Sequence, residues 1–222
     1  MTAEAFVRYA VPATSHGFPR NPFATRHTRP GRIPPLDAAG RPIDPPALLD
    51  RLRAGGGTAA IQGPHGSGKT TLLTHLACSL ERRGLLAARV RLRSRRDAAA
   101  ALAAIVGARP GATVCIDSWE RMGTVLGPVA RLTARFKGCG LLVTSHRDTG
   151  MPLLARCETT PDLLAAIVRH LPDCEQWLGP LVSAADIEEA FAGCGGNLRE
   201  ALYDLYDRFE ASARPAISSG LR

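Results

Sequence analysis

The feature that most constrains the fold is a glycine-rich segment at residues 63–70, Gly-Pro-His-Gly-Ser-Gly-Lys-Thr. It fits G-x-x-x-x-G-K-[ST] at every fixed position, between a short apolar segment (58–62) and a helical pattern (69–83). Glycines allow successive backbone N–H groups to turn inward around a phosphate, and the start of the following helix adds partial positive charge. A glycine-rich turn that binds nothing is the alternative, but the flanking pattern favours a phosphate-binding loop.

The loop supplies the candidate nucleotide-binding residues. Lys69 is expected to reach the β- and γ-phosphates as a point charge, and the Thr70 hydroxyl is expected to ligate Mg²⁺. His65 fills a variable position of the motif, and Thr71 is interpreted mainly as a helix residue. The candidates are Gly63, Pro64, His65, Gly66, Ser67, Gly68, Lys69, Thr70 and Thr71. The pattern therefore predicts ATP, with GTP left open, and Mg²⁺ as cofactors.

A second segment, residues 113–117 (Thr-Val-Cys-Ile-Asp), has the pattern of a buried strand that ends in a carboxylate. The carboxyl ends of parallel strands meet at one edge of a sheet, so Asp117 is expected near the phosphate loop, where it would hold Mg²⁺ through water. An apolar run ending in Asp is weak evidence alone, and its position after the loop strengthens it. Thr70 and Asp117 are the predicted metal ligands.

Hydrolysis of a nucleotide also needs a group that orients the attacking water. Ser118, directly after Asp117, cannot act as that base, and Glu120 is the nearest carboxylate. The spacing from Asp117 to Glu120 also fits a capping box, in which Glu120 would only tie the helix start. Both interpretations of Glu120 stay open.

The apolar strand at residues 140–144 ends beside further polar side chains. Thr144 or Ser145 could hydrogen-bond the γ-phosphate or its water, and Arg147 could neutralise developing charge. A solvent-facing loop is the alternative for His146 and Arg147. Thr144, Ser145 and Arg147 join Lys69, Asp117 and Glu120 in the candidate catalytic set.

Hydrophobic periodicity indicates strands that alternate with helices along the middle of the chain. The predicted strands are 58–62, 86–93, 113–116, 140–144 and 153–158, and the predicted helices are 46–53, 69–83, 94–106 and 119–136. This rhythm predicts an α/β fold of the P-loop NTPase type, with a mostly parallel, helix-covered sheet and a small C-terminal helical lid. The predicted units are a Pro/Arg-rich extended arm (1–46), a nucleotide-binding domain (47–159), the lid (160–211) and a flexible tail (212–222).

Two segments invite more specific expectations. In the arm, Phe23 and Ile33 are expected to pin the chain against the domain that follows. In residues 119–136, helical spacing places one set of apolar side chains on one side, and Pro128 is expected to kink or split the helix. That set is Met122, Val125, Val129, Leu132 and Phe136.

The formal net charge of +8 raises the possibility of nucleic-acid binding. A row of arginines at positions 89, 91, 93, 95 and 96 could contact phosphates. The alternative is structural, because charged side chains on an edge strand block unwanted strand pairing. Only Lys69 and Lys137 are lysines, so arginine-rich composition alone accounts for much of the charge.

Cysteine usage and hydropathy bear on the cellular setting. The six cysteines are spread singly, with no C-x-x-C pair, which favours reduced thiols over a zinc site. No run approaches the roughly 20 apolar residues of a membrane span, and residues 1–15 lack the pattern of a signal peptide. We therefore expect a cytoplasmic protein.

Four segments resemble AAA+ ATPases and their relatives in the additional-strand group of P-loop ATPases. These are 63–70 (Walker A), 113–117 (Walker B), 141–145 (the sensor-one strand) and 195–202, Gly-Gly-Asn-Leu-Arg-Glu-Ala-Leu (the sensor-two helix). The resemblance, over about residues 20–210, implies that Arg199 faces the γ-phosphate. Asn21-Pro22-Phe23 resembles the linker beside the base, and a simple anchored arm is an equal alternative.

The sequence departs from that family pattern at two places. No Glu follows Asp117, which argues against rapid hydrolysis, and residues 146–153 are too short for the helix that presents an arginine finger. We therefore expect a slow ATPase or an ATP-gated switch acting on a macromolecular partner, with a protein client and an oligomer both compatible with the sequence. The alternatives are a nucleic-acid-binding adaptor with structural nucleotide, a small-molecule phosphotransferase, and a scaffold that retains ATP without cleaving it.

Overall fold

The computed structural model describes residues 20–213. Residues 1–19 of the predicted arm and 214–222 of the predicted tail lie outside the described residues. The strands are β1 (Thr58–Gln62), β2 (Leu86–Arg91), β3 (Thr113–Asp117), β4 (Gly140–Ser145) and β5 (Leu153–Arg156). The helices are α1 (Thr25–Thr28), α2 (Pro45–Ala54), α3 (Lys69–Arg82), α4 (Ala98–Val106), α5 (Gly123–Lys137), α6 (Pro161–Arg169), α7 (Cys174–Trp177), α8 (Ala184–Gly193) and α9 (Leu198–Ala213).

The five strands form one sheet in the order β2-β3-β4-β1-β5, and every neighbouring pair is parallel. Alternate residues of the central strands point to opposite faces, where α2 and α3 cover one side and α4 and α5 the other. The predicted α/β fold class is confirmed. Because β4 lies between β1 and β3, the ends of these three strands lie together at the carboxyl edge.

The C-terminal helices α6 to α9 enclose a separate apolar cluster. Phe23 completes this cluster, with its ring centroid 5.1 Å from that of Trp177 and 6.3 Å from that of Phe209. Asn21 adds hydrogen bonds to the carbonyl of Tyr206 (3.0 Å) and to Glu210 (2.9 Å). Phe23 therefore anchors the arm to the C-terminal helices, whereas the sequence suggested anchoring to the following domain.

Helix α5 differs from its sequence interpretation in two ways. The segment is divided at Gly123, whose φ of 72° ends a 3-10 turn (Trp119–Met122), and α5 then runs through Pro128. The carbonyl of Thr124, which loses its helical partner at Pro128, belongs to an exposed residue and can be solvated. The buried side of α5 consists of Gly127, Ala130 and Ala134.

The apolar stripe of α5 therefore faces solvent. Val125 is 71% exposed and Phe136 is 82% exposed, and Val129 and Leu132 are also exposed. Met122, which precedes the helix, is the one member of the predicted set that is buried. None of the helices in residues 20–213 combines the length and hydropathy needed to span a bilayer.

Candidate functional site

The glycine-rich loop leads from β1 directly into α3, so that Lys69 is the first helical residue. Gly63 must be a glycine because a Cβ there would lie 2.2 Å from the carbonyl oxygen of Cys157. Gly66 has a φ of +75°, and its Cβ would lie 1.8 Å from Oδ1 of Asn197, at the start of α9. The loop is thus wedged between the end of β5 and the C-terminal helices.

Lys69 is a partly buried cation without an acidic partner. Its Nζ donates to the carbonyl oxygens of Gly63 (2.8 Å) and Pro64 (2.5 Å), and among the described residues it forms no ion pair. Burial lowers the pKa of Lys69, although nearby acidic groups, Glu120 and Asp117 among them, oppose that shift. An ammonium group held only by carbonyl dipoles is suited to an anionic ligand.

Asp117 ends β3 as a buried carboxylate with several donors around it. The Thr144 hydroxyl, at the end of β4, donates to Oδ1 (2.6 Å), and the Thr70 hydroxyl lies 3.2 Å from both carboxylate oxygens. Arg91 Nε lies 3.6 Å from Oδ2. The Ser118 N–H donates to the Thr144 hydroxyl (2.9 Å), so Thr144 is engaged on both sides. Because its hydroxyl is already bonded to two protein groups, Thr144 is better placed to orient the Asp117 carboxylate than to contact a phosphate directly.

Glu120 projects from the 3-10 turn after β3. Its Oε1 lies 3.1 Å from Nδ1 of His146, at the end of β4, whereas its Oε2 is buried without any hydrogen-bond partner. The His146 ring packs against His65 of the loop, with ring centroids 4.5 Å apart. Ser118 adopts a left-handed φ of 68° with no side-chain cap, and no bond within the described residues joins Glu120 to the N–H of Asp117. The capping-box interpretation of Glu120 is therefore wrong.

The other candidate residues differ in whether they line the cavity described below. Ser145 is buried at the end of β4, where its hydroxyl accepts from the Arg147 N–H (3.0 Å), and it lines the cavity described below. Arg199, at the start of α9, is exposed and also lines that cavity, as does Thr71. The Arg147 side chain is exposed and lies outside the cavity lining. The structure thus brings Arg199, but not Arg147, to the site.

A cavity of about 390 Å³ lies at the carboxyl edge of the sheet, between the loop, the C-terminal helices and the N-terminal segment 25–43. Arg29, Pro30, Ile33, Pro34, Pro35, Leu36 and Ile43 form its apolar-rich side. Asn21 and Phe23 are absent from the lining, and the part of the arm that faces the cavity lies a few residues further on. No periodic pattern marks this irregular segment, so its prolines were the only signal that sequence reasoning could use.

Of the arginine row, only Arg89 and Arg91 lie in β2, which forms one edge of the sheet as expected. Arg89 donates to the Thr74 hydroxyl (2.7 Å), and Arg91 faces Asp117. Strand register places Arg91 opposite Asp117, and alternation places Arg89 on the same face. Two of the five arginines therefore lie on the face of the sheet that carries the candidate site, rather than on a separate surface that could bind a polyanion. The sequence did not identify Arg91 as a site residue. The register of β2 against β3, which pairs Arg91 with Asp117, is the feature that would have indicated it.

In comparisons with known proteins, the chain is similar only to solved structures, and only over part of their length. No protein-family model and no curated protein matches this sequence. A solved structure of the Thermotoga maritima RuvB Holliday junction branch migration motor is similar at 18% identity and a TM-score of 0.47, over 72% of this chain and 60% of that chain. A mutant form of the same protein gives a TM-score of 0.48, over 71% and 56% of the two chains, at 18% identity.

A Rhizobiales Trip13 structure is similar at 16% identity and a TM-score of 0.36, over 67% of this chain and 61% of that chain. The chain spans about three fifths of the length of these solved proteins. The classification of the fold rests on the chain's own geometry, because β4 separates the loop strand from the acidic strand and all five strands are parallel. The chain is a P-loop α/β protein with appended C-terminal helices.

Proposed function

We propose that the protein binds Mg-ATP in the carboxyl-edge cavity and hydrolyses it slowly, as a switch that acts on a macromolecular partner. The observation that carries the proposal is the position of Lys69. Its ammonium group is partly buried at a glycine-lined bend, its only hydrogen-bond acceptors among the described residues are loop carbonyls, and the Asp117 carboxylate lies at the same edge of the sheet. A triphosphate supplies the anionic partner that Lys69 lacks.

The residues present fit a magnesium ion that arrives with the nucleotide. Mg²⁺ prefers oxygen ligands and is commonly held by one or two protein groups together with phosphate oxygens. Thr70 and Asp117 offer one hydroxyl and one carboxylate side by side, and residues 20–213 contain no cluster of three or more His, Cys, Asp or Glu side chains that would hold a metal unaided. When bound, the ion neutralises phosphate charge. Thr144 and Arg91 keep the Asp117 carboxylate oriented for that role.

Glu120 is the residue that we assign to the attacking water. Its buried Oε2 has no partner and therefore a free acceptor site, while Oε1 is fixed by His146. A carboxylate held by one oxygen and free at the other can accept a proton from water at a defined position, once nucleotide binding admits a water to the buried oxygen. Glu120 lies three residues after Asp117, whereas the family pattern has a Glu directly after the Asp. Its carboxylate would therefore approach the phosphate from a different position, and we expect slow turnover.

The C-terminal helices provide the switch. Asn197 rests on Gly66 of the loop, and Arg199, two residues further along the chain, lines the cavity. We propose that a bound triphosphate draws Arg199 towards the loop and that its loss loosens this contact, which changes how the C-terminal helices sit on the sheet domain. In this proposal the nucleotide-binding domain spans about residues 47–159 and the C-terminal lid spans about residues 160–211. The segment 25–43 would shelter the base of the bound nucleotide.

Phosphate release from Mg-ATP, measured beside equilibrium ATP binding, tests the proposal. Glu120→Gln should lower turnover by at least about tenfold with little change in ATP affinity, because the loss of a general base removes transition-state assistance only. Glu81→Gln, an exposed carboxylate at the end of α3, is the matched control and should leave both quantities unchanged. Equal phosphate release by wild type and Glu120→Gln would overturn the role of Glu120. Absence of ATP binding by the wild type would overturn the function itself.

A further inference from the structure

Exposed apolar side chains are concentrated on one part of the surface. Among the described residues, eight large hydrophobic side chains are exposed, and six of them belong to α4 and α5. The six are Val106, Val125, Leu126, Val129, Leu132 and Phe136. Four of these lie on the side of α5 opposite its buried small residues, so the stripe points straight away from the sheet. Such a concentration is unusual on a free protein surface.

Helix α4, which packs beside α5, adds to this surface. Its nine residues are all Ala, Leu, Ile or Val, so its outward side presents only apolar groups to solvent. We call the exposed sides of α4 and α5 the α4–α5 face. A surface helix normally carries charges on its outer side. The uncharged outer side of α4 therefore extends the apolar surface of α5 and is suited to contact with another molecule.

A groove with a volume of about 790 Å³ borders the α4–α5 face at the amino-terminal edge of the sheet, away from the nucleotide cavity. Pro128 and Leu132 of α5 form part of its wall, and Arg53, Arg131 and Arg135 also line it. In the part of the chain that the structure describes, none of these three guanidinium groups pairs with a carboxylate. Helix α5 itself contains no acidic residue.

We propose that the α4–α5 face and its groove dock an acidic, amphipathic segment of a protein partner. The apolar stripe supplies burial, and the three arginines along the groove supply charge complementarity for carboxylates. A second copy of the chain is disfavoured because α4, α5 and the groove lining contain no carboxylate that a symmetric contact could bring to these arginines. A nucleic acid would satisfy the arginines but would leave the apolar side chains in water.

The proposed surface is also connected to the candidate site. The 3-10 turn that carries Glu120 runs directly into α5, and the Trp119 ring packs against Gly127. A partner on the α4–α5 face would thus sit one helix away from Glu120. The docking proposal itself does not depend on nucleotide binding and can be tested with the protein alone.

Selection from a displayed library of random peptides of about 16 residues, the length of a short docking helix, tests the proposal on the full chain. The enriched peptides should be acidic and should contain several large apolar residues. A synthetic peptide with the enriched sequence should bind the wild type at least about tenfold more tightly than Phe136→Asp or Arg135→Glu, since the first variant removes an apolar contact and the second reverses the charge offered to the peptide's carboxylates. Arg95→Glu, an exposed arginine outside the face, is the control and should bind like the wild type.

Several results would overturn the proposal. One is the absence of enrichment, and another is enrichment of neutral or basic peptides that bind Phe136→Asp equally well. Dimerisation in sedimentation experiments that Phe136→Asp abolishes would assign the face to a second copy. Flotation with vesicles of phosphatidylglycerol and phosphatidylcholine, lost in the same variant, would assign it to a membrane surface. Peptide binding that occurs only after deletion of residues 1–19 would assign it to that segment.

Discussion

Substitution of Gly66 by alanine tests whether the C-terminal helices sit on the phosphate loop. The backbone at Gly66 has a φ of +75°, and an added Cβ would lie 1.8 Å from Oδ1 and 2.7 Å from Cγ of Asn197. The Asn197 side chain accepts hydrogen bonds from the N–H groups of Arg199 (3.2 Å) and Glu200 (3.5 Å) at the start of α9. The new methyl group can therefore be accommodated only if Asn197 leaves its capping position.

Two contributions determine how much Gly66→Ala lowers the free energy of unfolding. A left-handed backbone costs an L-residue about 1–2 kcal/mol relative to glycine. Loss of an N-terminal cap costs a further ~1 kcal/mol. Gly66→Ala should thus lower the free energy of unfolding by about 2–3 kcal/mol, which urea denaturation followed by circular dichroism can measure.

Gly111 provides the matched control for the backbone contribution. Its φ is +78°, and a Cβ there would meet no heavy atom within 4 Å, so Gly111→Ala should lose only about 1–2 kcal/mol. Asn197→Ala should lose about 1 kcal/mol, and the double variant Gly66→Ala/Asn197→Ala should lose about 2–3 kcal/mol rather than the sum of the single losses. Equal losses for Gly66→Ala and Gly111→Ala, together with full additivity in the double variant, would refute the contact between loop and C-terminal helices.

Two further predictions concern buried polar groups at the same edge of the sheet. Thr144→Val should lower the free energy of unfolding by about 1–3 kcal/mol, because the Asp117 carboxylate and the Ser118 N–H both lose a partner. The control Thr133→Val, at a half-buried threonine whose hydroxyl bonds a carbonyl of its own helix, should change it little, and equal effects would contradict the assigned network. Burial raises the pKa of Cys157 to about 11, so near neutral pH this thiol should be alkylated at least about tenfold more slowly than the exposed Cys78, with a rate that rises steeply at alkaline pH. Mass spectrometry of peptides after timed alkylation measures both rates, and comparable labelling near neutrality would contradict the burial of Cys157.

Local sequence patterns predicted the elements whose causes are local. The glycine-rich loop lies between β1 and α3 as expected because its fixed residues and its flanking periodicity are both readable in one short window. The carboxylate of Asp117 lies at the end of a fully buried strand for the same reason. The capping boxes at Ser94 and Ser183 are also local, since each depends on two residues three positions apart.

The features that the sequence did not reveal depend on contacts between distant segments. Periodicity marks an apolar side of α5 but not its direction, and the sheet instead accepts the small residues Gly127, Ala130 and Ala134, beside the bulky Trp119. The bond from Thr144 to Asp117 requires knowledge that β3 and β4 are neighbours in register. Apart from the four-residue helix α1, the cavity wall formed by residues 25–43 is irregular, and only the folded chain shows where it lies.

Isothermal titration calorimetry of Mg-ATP binding tests the central claim most directly, because Lys69 and Lys137 are the chain's two lysines and serve as a matched pair. The wild type and Lys137→Ala should bind with the same affinity. Lys69→Ala should bind about 10- to 100-fold more weakly, since a hydrogen bond to a charged group contributes roughly 1.5–3 kcal/mol. Undiminished affinity in Lys69→Ala, or no heat from Mg-ATP and Mg-GTP with the wild type, would contradict the assignment of residues 63–70 as a triphosphate site.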